Sequence, residues 1–99
     1  MSYSDPLKHF QWSTEKNERL VAERGVSFEQ IVSAIEQGGL LDVRQHPNPD
    51  RYPSQKLLLV ELDRYVYLVP VVEEPTYFFM KTIIPSRKAT QELLERGRG

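Results

Sequence analysis

Leu57-Leu58-Leu59-Val60-Glu61-Leu62-Asp63-Arg64-Tyr65-Val66-Tyr67-Leu68-Val69-Pro70-Val71-Val72 is the stretch on which the fold turns. Two apolar runs, 57–62 and 65–72, flank the polar pair Asp63-Arg64. Runs of this kind around a two-residue gap predict two strands joined by a tight hairpin. The pair contains no glycine, so the turn type stays open. Glu73-Glu74-Pro75 makes the next turn, and residues 77–84 predict a third strand. Together these runs predict a three-strand antiparallel meander. They are nearly continuous in apolar residues, so helices must cover at least part of the second face as well.

Upstream, Leu40-Leu41-Asp42-Val43 reads as a short strand. Between it and the meander, residues 44–55 hold three prolines with Asn48, Asp50 and Ser54, a long irregular loop for a 99-residue chain. Ahead of that strand lies the clearest helix start. Ser27-Phe28-Glu29-Gln30 has the form of a capping box, with Val26 and Ile31 as a hydrophobic staple. Phe28, Ile31, Val32 and Ile35 fall on one helical face, and Gly38-Gly39 stops the helix. A preceding helix starts at Glu15, capped by Ser13 or Thr14, and ends at Gly25. His9-Phe10-Gln11-Trp12 alternates as a short strand with Phe10 and Trp12 inward. Downstream, Pro85 ends the last strand and Ser86 caps a closing helix with Ala89, Leu93 and Leu94 on its apolar side. The order is strand, helix, helix, strand, meander, helix. This is an α+β class domain with helices packed on the sheet. Residues 1–99 form one domain, with 1–8 a loose lead-in and 96–99 a frayed tail.

Composition narrows the function. The chain has no cysteine, which excludes disulfides and thiolate metal sites and leaves a reducing cytoplasm as the default. The polar start lacks the basic and apolar regions of a signal peptide. Net charge is −1, but it is unevenly spread. Residues 1–80 carry 8 Lys/Arg against 12 Asp/Glu, and residues 81–99 carry 5 against 2. The basic end offers a polyanion a local focus, and equally a solvated helix face. The histidines His9 and His46 have no ligand-spaced partners, and no phosphate-cradling glycine loop or strained serine elbow is present, so no metal or cofactor is expected.

What remains is a set of cations at element ends. Arg87 and Lys88 open the closing helix, where positive charge opposes the macrodipole. Lys16 stands in the first turn of the first helix, with Arg24 two turns on. His46 in the proline loop titrates near neutral pH when unperturbed. Lys81 lies in the third meander strand, on the face of Tyr77 and Phe79, and Lys56 lies just before the first. Each has an ordinary reading as a solvated or ion-paired surface residue.

The blocks Phe10-x-Trp12-x-x-x-Lys16-Asn17, Arg24-Gly25-Val26-Ser27-Phe28-Glu29 and Ile83-Ile84-x-Ser86-Arg87-Lys88-Ala89-Thr90 resemble, in this order, the BrnT family of bacterial toxins. The likeness runs from about Phe10 to Leu94. It implies a RelE-like α+β fold and a metal-independent ribonuclease that stops translation. It also implies a cognate antitoxin protein as partner. Carried over by motif, Lys16 and Arg87 are the expected proton handler or phosphate clamp, lying close together; His46, outside these blocks, is a further catalytic candidate from its place in the proline loop. Arg24, Lys56, Lys81 and Lys88 are expected to bind RNA. Arg24 stands where the family often has histidine and, being permanently charged, can only clamp. Lys81 is one residue out of step with the basic residue expected in its strand, where Thr82 stands. Two other classes stay open: a non-catalytic relative that binds a protein partner, and a small RNA-binding module.

Overall fold

The computed structural model describes residues 9–95, and the expected lead-in at 1–8 and tail at 96–99 lie outside them. The order is β1 (His9–Gln11), α1 (Thr14–Arg24), α2 (Phe28–Glu36), β2 (Leu40–Gln45), β3 (Gln55–Leu62), β4 (Tyr65–Glu73), β5 (Tyr77–Met80), β6 (Ile84–Pro85) and α3 (Arg87–Thr90). A wider π-helical turn over Gln91–Glu95 follows α3. The α+β architecture expected from the sequence is the one observed. The strands lie in the order β1-β5-β4-β3-β2, with β6 along β4 beyond the end of β5. The sheet is mixed, because β1 runs parallel to β5 while the meander and β2 are antiparallel.

The hairpin that decides the fold closes on Asp63 and Arg64, both left-handed at φ 54° and 65°. Positive φ at both central residues is the requirement of a type I′ turn, which matches the twist of the flanking strands. It fixes Leu58 opposite Val69 and Val60 opposite Tyr67. Side chains then alternate between two cores. Leu58, Val60, Val69 and Val71 face Leu20 of α1 and Phe28, Ile31 and Ile35 of α2. Leu59 and Val66 face Ala89 of α3, with Leu57, Leu68, Leu93 and Leu94 around them. The sheet is therefore covered on both sides, by α1 and α2 on one and by α3 on the other.

The helix boundaries follow from caps. The Ser13 side chain accepts the Lys16 amide, and Gly25 closes α1 at φ 69°. The capping box at Ser27 and Gln30 is present in full. Asn17 adds a tie not read from the sequence. Its side-chain oxygen accepts the Phe28 amide at 2.7 Å and its amide nitrogen donates to Glu29 at 2.8 Å. One free N–H at the head of α2 is thereby satisfied from α1. Trp12 stacks on Phe28 at 5.6 Å, and Phe10 on Phe78 at 5.7 Å, so both aromatics of the first block are inward as expected. Gly39 sits where a Cβ would come within 2.7 Å of the Glu61 carbonyl oxygen and 2.8 Å of that of Ala34. Only glycine lets the end of α2 approach β3 this closely.

Three expectations need correction. Arg44, Gln45 and Gln55 belong to strands, so the irregular loop is shorter than 44–55. The closing helix is a single α-turn followed by the π turn rather than one α-helix, while its Ser86 cap and the packing of Ala89, Leu93 and Leu94 in one core are as expected. The third meander strand is not continuous over 77–84. Val71 faces Met80 but Leu68 faces Ile84, so three steps along β4 answer four along the other chain. The physical cause is Pro70. The Lys81 amide donates to the Pro70 carbonyl at 2.8 Å, but proline has no N–H to return the bond. The ladder lapses there, and an extra residue is accommodated as in a bulge. As a result Met80 and Ile83, an odd number of residues apart, are buried in the same core.

Candidate functional site

The block Ser86-Arg87-Lys88-Ala89-Thr90 divides into residues with structural work and residues without it. The Ser86 hydroxyl accepts the Ala89 amide at 3.0 Å, and the Ser86 amide donates to the Val66 carbonyl at 3.0 Å. The return bond of that ladder pair is relayed through a side chain. The Val66 amide donates to Thr90 Oγ1 at 2.8 Å, and the same hydroxyl donates to the Ser86 carbonyl at 2.7 Å. Thr90 thus bolts α3 to β4, and Ala89 packs its methyl into the core beneath. Arg87 and Lys88 are exposed, and among the described residues no hydrogen bond or ion pair holds either side chain.

The other candidates are distributed as follows. Arg24 closes α1 and donates through Nη1 to the carbonyl oxygen of Ile83, just ahead of β6. It ties the end of α1 to the bulged segment that leads into α3. Lys16 is at the opposite end of α1, eight residues away, which at ~1.5 Å per residue is ~12 Å along the axis. Moreover, α1 and α3 pack on opposite faces of the sheet. The cation that the structure brings towards the α3 entry is Arg24, not Lys16. Lys81 is exposed in the interrupted segment rather than in a regular strand. Lys56 is engaged at 2.6 Å by Glu73, with both side chains largely covered. Lys88 stands next to Arg87.

His46 lies in the loop between β2 and β3, its ring tilted by 40° against that of Tyr52 at 4.4 Å between ring centres. Its Nδ1 accepts the Asn48 amide at 3.0 Å, so the neutral ring carries its proton on Nε2. Taking up a second proton at Nδ1 means giving up that bond. Arg51 lies over the Tyr52 ring at 5.6 Å, so Tyr52 is in contact with both His46 and Arg51.

The groups with shifted pKa lie away from Arg87 in the sequence. Glu29 is held below the usual carboxylate range by the Asn17 hydrogen bond, and Asp42 by its hydrogen bond from Arg44. Burial pushes the Tyr67 phenol up, helped by Asp63 and Tyr65. A polar cleft of about 390 Å³ between the end of α2 and the β3–β4 hairpin is lined by Gln30, Ser33, Gln37, Glu61 and Asp63. Its charged groups are acidic, so it does not suit a polyanion. Among the described residues no cluster of three or more His, Asp or Glu is placed to hold a metal ion, and no helix is long and apolar enough to cross a membrane. What the arrangement offers chemically is two exposed cations, unengaged among the described residues, on a docked turn, with Arg24 fixing the chain that enters it.

Sequence reading missed the roles of Asn17, Thr90 and Pro70. Pro70 was the most accessible of these, since a proline inside an apparent central strand signals an edge or a bulge. No family model, no curated protein and no solved structure matches this chain.

Proposed function

We propose that this chain is a BrnT-like, metal-independent ribonuclease, the toxin of a toxin–antitoxin pair, with Arg87 clamping the scissile phosphate and Lys88 beside it. The supporting observation is the division of labour in the Ser86–Thr90 block. Three of its residues dock the turn, and Arg87 and Lys88 are exposed, with no hydrogen bond or ion pair to either side chain among the described residues. Solvated cations suffice as a bland account of that exposure. The block's likeness to the toxin family favours the catalytic one.

RNA cleavage by its own 2′-hydroxyl breaks the bond from phosphorus to the 5′-oxygen and leaves a cyclic phosphate. A base takes the hydroxyl proton, an acid protonates the leaving oxygen, and cations stabilise the phosphorane charge. Arg87 supplies the last of these in a fork suited to a phosphate. Lys16, on the face opposite Arg87, does not reach that phosphate, which leaves His46 as the candidate for proton transfer. Arg24 anchors the site, and Lys56 is drawn into its ion pair with Glu73.

A second reading is a partner-binding relative without catalysis. It is favoured by the net charge of −1 and by the engagement of Lys56 and Arg24 within the protein. Induction of the chain alone in a bacterial host separates the two. The ribonuclease reading expects growth arrest with fragmented RNA, relieved by Arg87→Ala in a variant that still folds. Normal growth and intact RNA from soluble, folded protein select the binding relative.

A further inference from the structure

The sheet ends in two edges of different character. At one, β1 is three residues long; at the other, β2 runs for six, from Leu40 to Gln45. Leu41 and Val43 on β2 are two of the large apolar side chains left exposed, at 37% and 47%. The β2–β3 register slips by one residue between Leu40 and Asp42, which puts Leu41 in a bulge, so the regular part of this edge runs from Asp42 to Gln45 and is a short template for another strand.

The ladder identifies which backbone groups are free. The His46 amide bonds inward to the Gln55 carbonyl, continuing the β2–β3 register. Alternation then turns the backbone groups of Val43 and Gln45 outward. In the single chain the outward Val43 amide is held by its own neighbour, Asp42 Oδ1, at 2.8 Å. The other oxygen of that carboxylate takes Arg44 Nε at 3.0 Å, and both side chains are nearly half exposed.

Asp42 and Arg44 point to one face and Val43 between them to the other. This pattern is complementary to itself in one antiparallel register. With a two-fold axis through Asp42, aspartate meets aspartate. With the axis through Arg44, arginine meets arginine. With the axis through Val43, each Asp42 meets an Arg44 and the two valines adjoin.

We propose that two copies of this chain pair along β2 about a two-fold axis through Val43, joining their sheets into one. The Val43 amide passes from Asp42 to the Val43 carbonyl of the second copy, and each carboxylate turns to the facing guanidinium. A contact of this kind is self-complementary and closes at two copies. It uses none of the residues assigned to RNA, so it stands whether or not the ribonuclease reading does.

The test is sedimentation velocity from low micromolar to a few hundred micromolar, with circular dichroism to confirm folding. The native chain forms a dimer by mass action. Asp42→Arg and Arg44→Asp each set like charges opposite one another at two places and raise the dimer dissociation constant by about tenfold or more. An equimolar mixture of the two variants pairs, because one then carries two arginines and the other two aspartates. The double swap, D42R with R44D, restores the native association. A native chain that stays monomeric throughout overturns the proposal. So does a dimer that tolerates either single reversal, or a folded pair of variants that fails to associate on mixing.

Discussion

Replacing Thr90 with valine removes one hydroxyl and keeps the shape of the side chain. The structure predicts a large effect for so small a change. Thr90 is 5% exposed, and the Val66 residue whose amide it accepts is fully buried. Without the hydroxyl the Val66 N–H loses its acceptor, because Thr90 Oγ1 is the group that bridges the Val66 amide to the Ser86 carbonyl. A buried donor left unpaired costs about 1–3 kcal/mol. For a domain of this length that lowers Tm by roughly 5–20 °C. Thr90→Ser keeps the relay and loses one buried methyl, about 1 kcal/mol. Stability alone separates the two poorly, so the decisive readout is amide exchange at Val66. Urea melts should show a lower midpoint at constant slope for Thr90→Val. The Val66 amide should lose protection in Thr90→Val relative to its strand neighbours, and keep it in Thr90→Ser. If Thr90→Val melts within about 0.5 kcal/mol of the native chain and Val66 stays protected, the relay does not hold α3 to the sheet.

Gly39→Ala should destabilise by about 1–3 kcal/mol in urea melts, because the new methyl meets two backbone oxygens that cannot move independently. Arg64→Gly should stabilise by about 1 kcal/mol, since the left-handed φ of 65° costs any side chain and not glycine. The Glu29 carboxylate titrates below its ordinary value because Asn17 donates to it. Its contribution to stability is therefore present above the ordinary glutamate range and lost as pH falls through its own lowered value. Asn17→Ala should raise the Glu29 titration, followed by NMR, towards the ordinary range, the backbone and Ser27 hydrogen bonds still lowering it.

The hairpin, the capping box and the glycine stops were readable in the chain because each is a local rule. The two-residue gap at Asp63-Arg64 marks a tight hairpin, though not its turn type, and Ser27 and Gln30 bond within one helical turn. The interruption after Met80 was not local. It arises from Pro70, on the neighbouring strand, whose missing donor matters only once Lys81 is placed beside it. The candidate site divides the same way. Ser86 as a cap followed from spacing alone. Thr90 as a relay needed Val66, which is 24 residues earlier in the chain. The expected nearness of Lys16 and Arg87 depended on which face each helix covers. Local pattern does not state that, and α1 and α3 fall on opposite faces.

The central proposal rests on Arg87, and one comparison tests it most directly. The chain is induced alone in bacterial cells, and the ends of cellular RNA are mapped for the native protein and for Arg87→Ala. Loss of a phosphate clamp of this kind lowers the rate by about 10²–10³-fold. The account predicts new RNA ends on induction of the native chain, nearly absent in an Arg87→Ala protein that is soluble and folded. Equal cleavage by both would remove Arg87 from the site, and intact RNA with folded native protein would contradict the ribonuclease itself.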